Sequence, residues 1–466
     1  MKLTPQQKAR LSRPHPFLFL LVIGLFCLPW LCLFGINLYL QQAQAQIDKQ
    51  ADAYFSRIDS YEGNASAEQI DQLSAKLGLL PNTTYAHPIE INREAALHYQ
   101  GIEASLNQFL IEQTSKVSGP LDSLPIELQS YLTAQRDTLT AIQTYLLNHE
   151  APRWSSDSEL MALSDHKSMG FFNVRSIQKL LLLAALDAHH QRQPNDVFNA
   201  LEASWNLNQS IKQRSDLSSQ VLLSVISHQR ASILRHLDDV PLHWHIRIQT
   251  QAQSQPILKG LIFENWLRYR TLQGTWIPTI TPAKNAPISE KVRAALSNRF
   301  SAQGYFKLSA INTTQTTHQA LEQLIQLDVC TTPQITAEQY LSDIHTARWN
   351  PKTIISPAVT AKRWQTAGMR SLSLELSQYI LTIKQQRALS GKWPTTYPRQ
   401  ASQICPGEFW DYTLETNTFE TDAPDDTPDT AHSNITISFS KQLLSPSAIP
   451  LKYSMRVQAQ SLRTSR

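Results

Sequence analysis

The chain is poor in glycine, in cysteine and in charge. It holds 13 glycines in 466 residues, less than half of the usual ~7%. That scarcity excludes an architecture made chiefly of tight turns and argues against most glycine-loop nucleotide sites. Charged residues make up 17%, against about 25% in an average domain, so Gln, Ser and Thr supply much of the polar surface. Neither a Walker A nor a Rossmann glycine pattern occurs, and HExxH and the G-x-S-x-G nucleophile elbow are missing too. The length itself allows two or three domains.

Charge is absent altogether from residues 17–40, FLFLLVIGLFCLPWLCLFGINLYL, where Asn37 is the one amide. As a helix this run would be about 36 Å long, enough to cross a hydrocarbon core of ~30 Å. It exceeds the apolar stretch of a secretory signal peptide, although the small residues Ala43 and Ala45 follow it. The spacing predicts an uncleaved anchor. Lys2, Lys8, Arg10 and Arg13 precede the run, and the first acid is Asp48. The positive-inside rule then keeps the N-terminus in the cytoplasm and exports the bulk of the chain from a bacterial inner membrane. Four of the 42 Lys and Arg lie before the run, leaving 38 against 38 Asp and Glu. A formally neutral exported part gives no support to nucleic-acid binding, which needs a basic face.

There are four cysteines. Cys27 and Cys32 fall inside the run and read as small apolar residues. Cys330 and Cys405 are the two thiols outside it, and an oxidising compartment makes them a disulfide. Two isolated cysteines without histidine at ligand spacing do not form a zinc site.

Beyond the run, Ile47, Ala51, Tyr54, Ile58 and Tyr61 continue at helical spacing. Helical periods recur over 66–79, 89–116 and 128–146, with a turn bracketed by Pro120 and Pro125. Residues 176–193, 197–214 and 217–237 read as three helices, the first two joined by a turn at Pro194, Asn195 and Asp196. This is a helical-hairpin layout of tetratricopeptide type, without a 34-residue repeat. The Pro/Thr-rich segment 275–289 is the best internal loop. Helical pattern resumes over 290–296 and 316–327. Residues 360–390 form one long helix, stopped by Gly391 and Pro394. Residues 409–416, 434–440 and 452–459 have alternating, β-rich texture, with the acidic loop 420–430 between the first two. The expected fold is therefore mainly α, with a single N-terminal transmembrane helix, a helical-hairpin exported domain and a small antiparallel β tail. The chain divides into a basic tail, 1–16; an anchor, 17–40; a helical membrane-proximal region, 41–165; a hairpin domain, 166–350; and a long helix with its β-rich tail, 351–466.

Three segments carry a resemblance: ALEASWNLNQSI leading into LSSQVLLSVI, RWNPKTIISP, and LSLELSQYILTIKQQRALSGKWPTTYP. Together they resemble a group of uncharacterised, membrane-anchored bacterial proteins. The last is also similar to the stretch of pilins and pseudopilins in which a long helix meets a Gly-x-aromatic-Pro turn and then a small sheet. In pilins that stretch directly follows the N-terminal membrane helix, whereas here it is far from the run. The resemblance implies an architecture, a helical domain followed by helix plus sheet, and assigns no activity.

Candidate chemistry is sparse. His243 and His245, flanking Trp244, lie near His236, Asp238 and Asp239 and make the closest approach to a metal constellation. They read as polar residues of an interhelix connection after Val240 and Pro241. His189 and His190 read as an exposed helix end. Asp422, Asp425, Asp426 and Asp429 offer oxygen ligands, but lack the spacing and glycine of an EF-hand. Glu264, beside Trp266, Arg268 and Tyr269, is the acid to consider for glycan hydrolysis, which needs two placed carboxylates; the Glu-Ser motif of lytic transglycosylases is missing. Nine tryptophans lie beyond the run, Trp205, Trp244, Trp266 and Trp364 among them, for packing or for a peptide or glycan groove. No catalytic, cofactor or metal residue is assigned, and the disulfide Cys330–Cys405 is the one site expected. The sequence thus predicts a non-enzymatic interaction or assembly protein anchored in the envelope, spanning the membrane once and engaging a protein partner. The alternative is a helical cell-wall hydrolase.

Overall fold

The computed structural model describes residues 16–58, 62–82, 88–155, 172–252, 256–274, 287, 289–290, 302–343, 357–417, 432–441 and 449–458. The basic tail, most of the loop 275–289, the helical pattern over 291–296, the Asn350-Pro351 segment and the acidic loop 420–430 lie outside the described residues. The protein is mainly helical, with thirteen helices and one four-stranded antiparallel sheet among the described residues. These form two compact units, each drawn from separated stretches of chain.

Among the described residues the smaller unit takes 16–58, then 269–274, 287, 289–290 and 302–316. Its main element is α1, Pro16–Phe55, 40 residues long. The uncharged run occupies its N-terminal part, where Leu28, Phe34, Leu38 and Tyr39 stand exposed and Leu40, at its end, is buried. Further along, Ile47 and Ala51 are buried. The Tyr269 hydroxyl donates to Asp48 at 2.8 Å, and Arg270 pairs with Asp52. Among the described residues no helix is long and apolar enough to cross a membrane; most side chains of residues 16–37 are outside that set.

The larger unit contains α2 (Ala65–Lys76), α3 (Arg93–Thr114), α4 (Ile126–Ala134), α5 (Arg136–Asn148), α6 (Phe172–His190), α7 (Pro194–Lys212), α8 (Leu217–His236) and α9 (Leu242–Ala252). Local chemistry sets the starts of these helices. Asn64, Asn92 and Asp216 each accept a backbone N–H three residues on, from Ala67, Ala95 and Ser219, satisfying donors that a helix end leaves free. One period, 128–146, is divided at Gln135, yet Gln135 donates to the Tyr131 carbonyl and accepts from Leu139, so the apolar stripe survives the break.

The hairpin turn differs from the sequence expectation. Pro194 is the first residue of α7 rather than part of a turn, because proline lacks the N–H that a helix start leaves unused. The reversal sits one step earlier, where Arg192 adopts a left-handed φ of 57°. The Arg192 and Gln193 N–H groups return to the His189 and Ala188 carbonyls, the pattern with which helices commonly end.

Next come α10 (Pro256–Gly274), α11 (Ala302–Gln326), α12 (Gln334–Asp343) and α13 (Pro357–Ser390), of which the larger unit takes α10 up to Arg268 and α11 from Thr317. The 34-residue α13 is the spine of this unit. Leu374 and Leu381 join the large core of α2–α9. Leu372, Leu376, Tyr379, Ile380 and Ile383 face the sheet. Near its start, Ala361 and Trp364 meet Leu217, Leu258 and Leu324 in a third cluster. The sheet runs in the order β1 (Gln400–Ala401), β2 (Phe409–Asn417), β3 (His432–Phe439), β4 (Lys452–Gln458), antiparallel throughout. Trp410, Ile435, Ile437 and Tyr453 are buried at alternate positions against α13, the period-2 pattern of a half-buried sheet.

Two buried carboxylates act as staples. Asp71 on α2 accepts from the backbone and side chain of Asn82 at 3.0 and 2.8 Å, the Trp154 indole at 3.1 Å and Asn173 at 3.3 Å. Glu375 on α13 accepts from the Ser402 hydroxyl at 2.6 Å, the Gln403 and Ile404 N–H groups at 2.7 and 3.1 Å and the Trp410 indole at 3.2 Å. Cys330 and Cys405 are disulfide-bonded, with Cα atoms 5.7 Å apart, within the span such a bond permits.

Candidate binding cavity

Where the three clusters of the larger unit meet, a cavity of about 600 Å³ opens, within the usual range of small-ligand sites. Helical spacing explains its walls. On α8 it is lined by Gln220, Leu223, Ser224 and Ser227, and on α13 by Trp364, Ala367, Gly368, Ser371 and Leu374, each a stripe of i, i+3, i+4 positions. Trp205, Gln209 and Lys212 close it from α7, Arg247 and Gln251 from α9, and Lys259 from α10, with Val329 and Ile404 at one end.

Close approach shapes that end. A Cβ on Gly368 would fall closer than 3.0 Å to the Val329 side chain, and one on Gly260 would come to 2.7 Å from the Leu217 Cα. Glycine at these two places lets α13 touch the Cys330 segment and lets α10 reach the start of α8. The disulfide partners Cys330 and Cys405 each adjoin a lining residue, Val329 and Ile404.

The lining is cationic. Lys212, Arg214, Arg247, Lys259 and Arg370 contribute, and no Asp, Glu, His or Cys is among the described lining residues. Two of the five are neutralised from outside the cavity. Arg214 pairs with Asp216 at 3.0 Å, and Arg247 grips both oxygens of Glu202, one at 2.8 Å. Lys212 and Lys259 are exposed at the rim. Arg370 is partly buried, and that burial pushes its pKa down. Among the described residues it has neither an ion pair nor a hydrogen bond.

Behind the wall the positive character continues. Arg230 is buried between Trp205 and Trp244, 5.1 and 5.8 Å from their ring centres. It bonds Ser204 at 3.2 Å, its Nη2 has no partner, and burial holds its pKa down at about 9. Arg235, also buried, bonds Ser232 and Ser373, while its Nε and Nη1 have no partner. The His228 ring is pushed down to about 3, by burial first and then by Arg235 and Arg370.

Residues singled out in the sequence are scattered by the fold. The His243–His245 segment is helical, within α9, not a connection. Pro241 precedes the helix instead of interrupting it, and the alternation on a helix turns Trp244 inward while His243 is exposed beside Glu202 at 3.6 Å. His236 is largely buried against Tyr453, and Asp238 lies by Lys384 and Arg387. Among the described residues, the grouping of three metal-type side chains is Asp328, Cys330 and Cys405, and there the cysteines are bonded to each other. His190 bonds the Asp122 carbonyl. Asp422, Asp425, Asp426 and Asp429 lie outside the described residues. Glu264 does not line the cavity; it is half-buried near the α8 N-terminus. Burial raises its pKa, Arg268 opposes this, Asp216 adds to it, and the Leu217 N–H lowers it. Asp216, the nearby acid, is committed to Ser219 and Arg214.

Arg370, Arg214, Lys212 and Lys259 were not singled out from the sequence. Each sits in a polar helical stretch, and only the fold brings residues 205–404 together. The available signal lay in α8, whose apolar residues fall on every face, so that its arginines had to be buried. Compared with known proteins, the chain matches no family model, no curated sequence and no solved structure.

Proposed function

We propose that this chain is a non-enzymatic recognition or assembly protein anchored in the bacterial inner membrane. Its N-terminus is cytoplasmic, residues 17–40 span the membrane once, and the larger unit is displayed outside with the cavity as its recognition site. The lining carries this reading: cations, glutamines, hydroxyls and two tryptophans that suit binding, without a described Asp, Glu, His or Cys, the usual carriers of acid–base chemistry. The anchor is supported by the uncharged run on α1 and by the exposure of Leu28, Phe34 and Leu38 there. The long α13, the turn at Gly391 and the sheet after it support a pilin-like tail and contact with an envelope assembly, by likeness of layout alone.

The test uses the full chain in its own membrane. A reporter fused after residue 60 should be active only outside the cytoplasm. A photoreactive residue replacing Gln209 at the cavity wall should give one discrete adduct with a protein of the envelope. The rival is a wall hydrolase acting through Glu264. Wall-degrading activity of the purified chain, abolished by Glu264→Gln, would overturn the proposal.

A further inference from the structure

We infer that the cavity takes a small, multiply charged oxyanion, phosphate or carboxylate, anchored on Arg370 with Lys212 and Lys259 closing over it from the rim. This deepens the reading of the cavity as a recognition site and rests on it. The argument is one of charge balance. Five cations line the space, two are matched by Asp216 and Glu202, and three have no ion pair among the described residues. Even partial removal of a cation from water without a counter-ion is costly, and Arg370 is a partly buried cation whose charge, like that of Arg235, acts on the buried His228. Nothing among the protein's described acids answers it; a bound anion would.

The donors are of the right kind. Arginine offers a planar fork that matches the two oxygens of a carboxylate or phosphate, and lysine a mobile point charge. Gln209, Gln251, Ser224 and Ser371 add further hydrogen-bonding groups to the same lining, able to donate to an oxyanion. A metal cation is disfavoured by the same field. A nucleic-acid strand needs an open basic track, whereas this basic character is gathered into a cavity of about 600 Å³.

The experiment is calorimetric titration of the full chain in detergent micelles with inorganic pyrophosphate and, separately, with citrate. Saturable binding of either is expected, weakening as salt rises from about 50 to about 300 mM. Pyrophosphate alone would mark a phosphate site, citrate alone a carboxylate site. Arg370→Gln should weaken binding by about ten- to a hundred-fold, the range for a charged hydrogen bond. The rim double variant, Lys212→Gln with Lys259→Gln, should weaken it by about three- to tenfold and keeps the test valid should the buried change disturb folding. Arg387→Gln, paired with Asp238 away from the cavity, should bind as the parent does. Failure of both probes to saturate, or full binding by the Arg370 and rim variants alike, overturns the inference. If the Gln209 cross-link persists in that event, the recognition reading stands without the oxyanion; Glu264-dependent hydrolysis would remove the recognition reading instead.

Discussion

Asp71 and Glu375 sit in the same unit as Arg230, Arg235 and Arg370, and the two sets are treated in opposite ways. Each carboxylate is closed off by four donors, a tryptophan indole among them. Arg230 has a serine hydroxyl and two ring faces around it and Arg235 two serine hydroxyls, both keeping donors in reserve, while Arg370 has no ion pair among the described residues. A satisfied buried ion fixes geometry, since each donor must be in place for the charge to be tolerated. An unsatisfied one fixes little and holds its attraction for something else. On the proposed reading the carboxylates belong to the architecture and the cavity's unmatched cations to recognition, and this division can be tested from both sides.

The largest effect should come from opening a staple. Glu375→Ala leaves the Ser402, Gln403, Ile404 and Trp410 donors buried without an acceptor, at about 1–3 kcal/mol each before relaxation. A loss of about 5 kcal/mol in urea unfolding of the full chain is expected. A loss below about 1 kcal/mol would show that the two sets of charges do not differ.

Reduction comes next. Cys330 and Cys405 are 75 residues apart, and a loop of that length gives a cross-link worth about 4 kcal/mol by chain entropy. Because Val329 and Ile404 line the cavity, Cys405→Ser should also weaken pyrophosphate binding, while leaving the Asp71 region as protected from hydrogen exchange as before. Mass spectrometry that finds both thiols free in protein taken from its native cells would remove this expectation.

Acid sharpens the contrast further. His228 and His236 are pushed down to about 3, by burial first and then by neighbouring cations. In the unfolded chain they titrate near 6.5. Between those values the unfolded chain binds protons that the folded chain does not, so stability falls as pH drops from about 6.5 toward 3. Between pH 7 and 5, above the range of ordinary carboxylates, each histidine should account for about 2 kcal/mol. His228→Leu should remove its share from the melting curves over that interval. An unchanged slope would mean that the ring is protonated in the folded protein, and that the interior is less positive than the geometry implies.

What the sequence disclosed follows the range of the forces involved. Elements held by local periodicity were legible: the hairpin helices, α13 with its Gly391 stop, and three of the four strands. Departures occurred where a single residue could serve two states. Pro194 punctuates a turn or begins a helix equally well, and the two-residue β1 exists only because Ala401 pairs with Phe409. The pairing of Cys330 with Cys405 was legible because exclusion left one partner for each. The cavity was not. Its wall is assembled from residues 205–404, and Arg370 looks like any solvated position of a helix until Leu374 on one face and Leu372 on another are both seen to be buried.

The smallest expected change is the most diagnostic. Arg370→Met keeps the length of the side chain and removes an unmatched charge from a partly buried place. Replacing buried charge by apolar volume is often neutral or stabilising, so stability at pH 7 should stay within about 1 kcal/mol of the parent, on the favourable side. The same substitution should weaken binding of the oxyanion probe by about ten- to a hundred-fold. A residue maintained for packing would show the reverse, a loss of stability with binding intact, as for a side chain whose stem covers apolar surface. Added pyrophosphate separates these cases further. A ligand that binds only the folded state raises stability with concentration, so the parent should gain in melting temperature where the variant does not. Equal gains in both would place the anion elsewhere and return Arg370 to the architecture, beside Asp71 and Glu375.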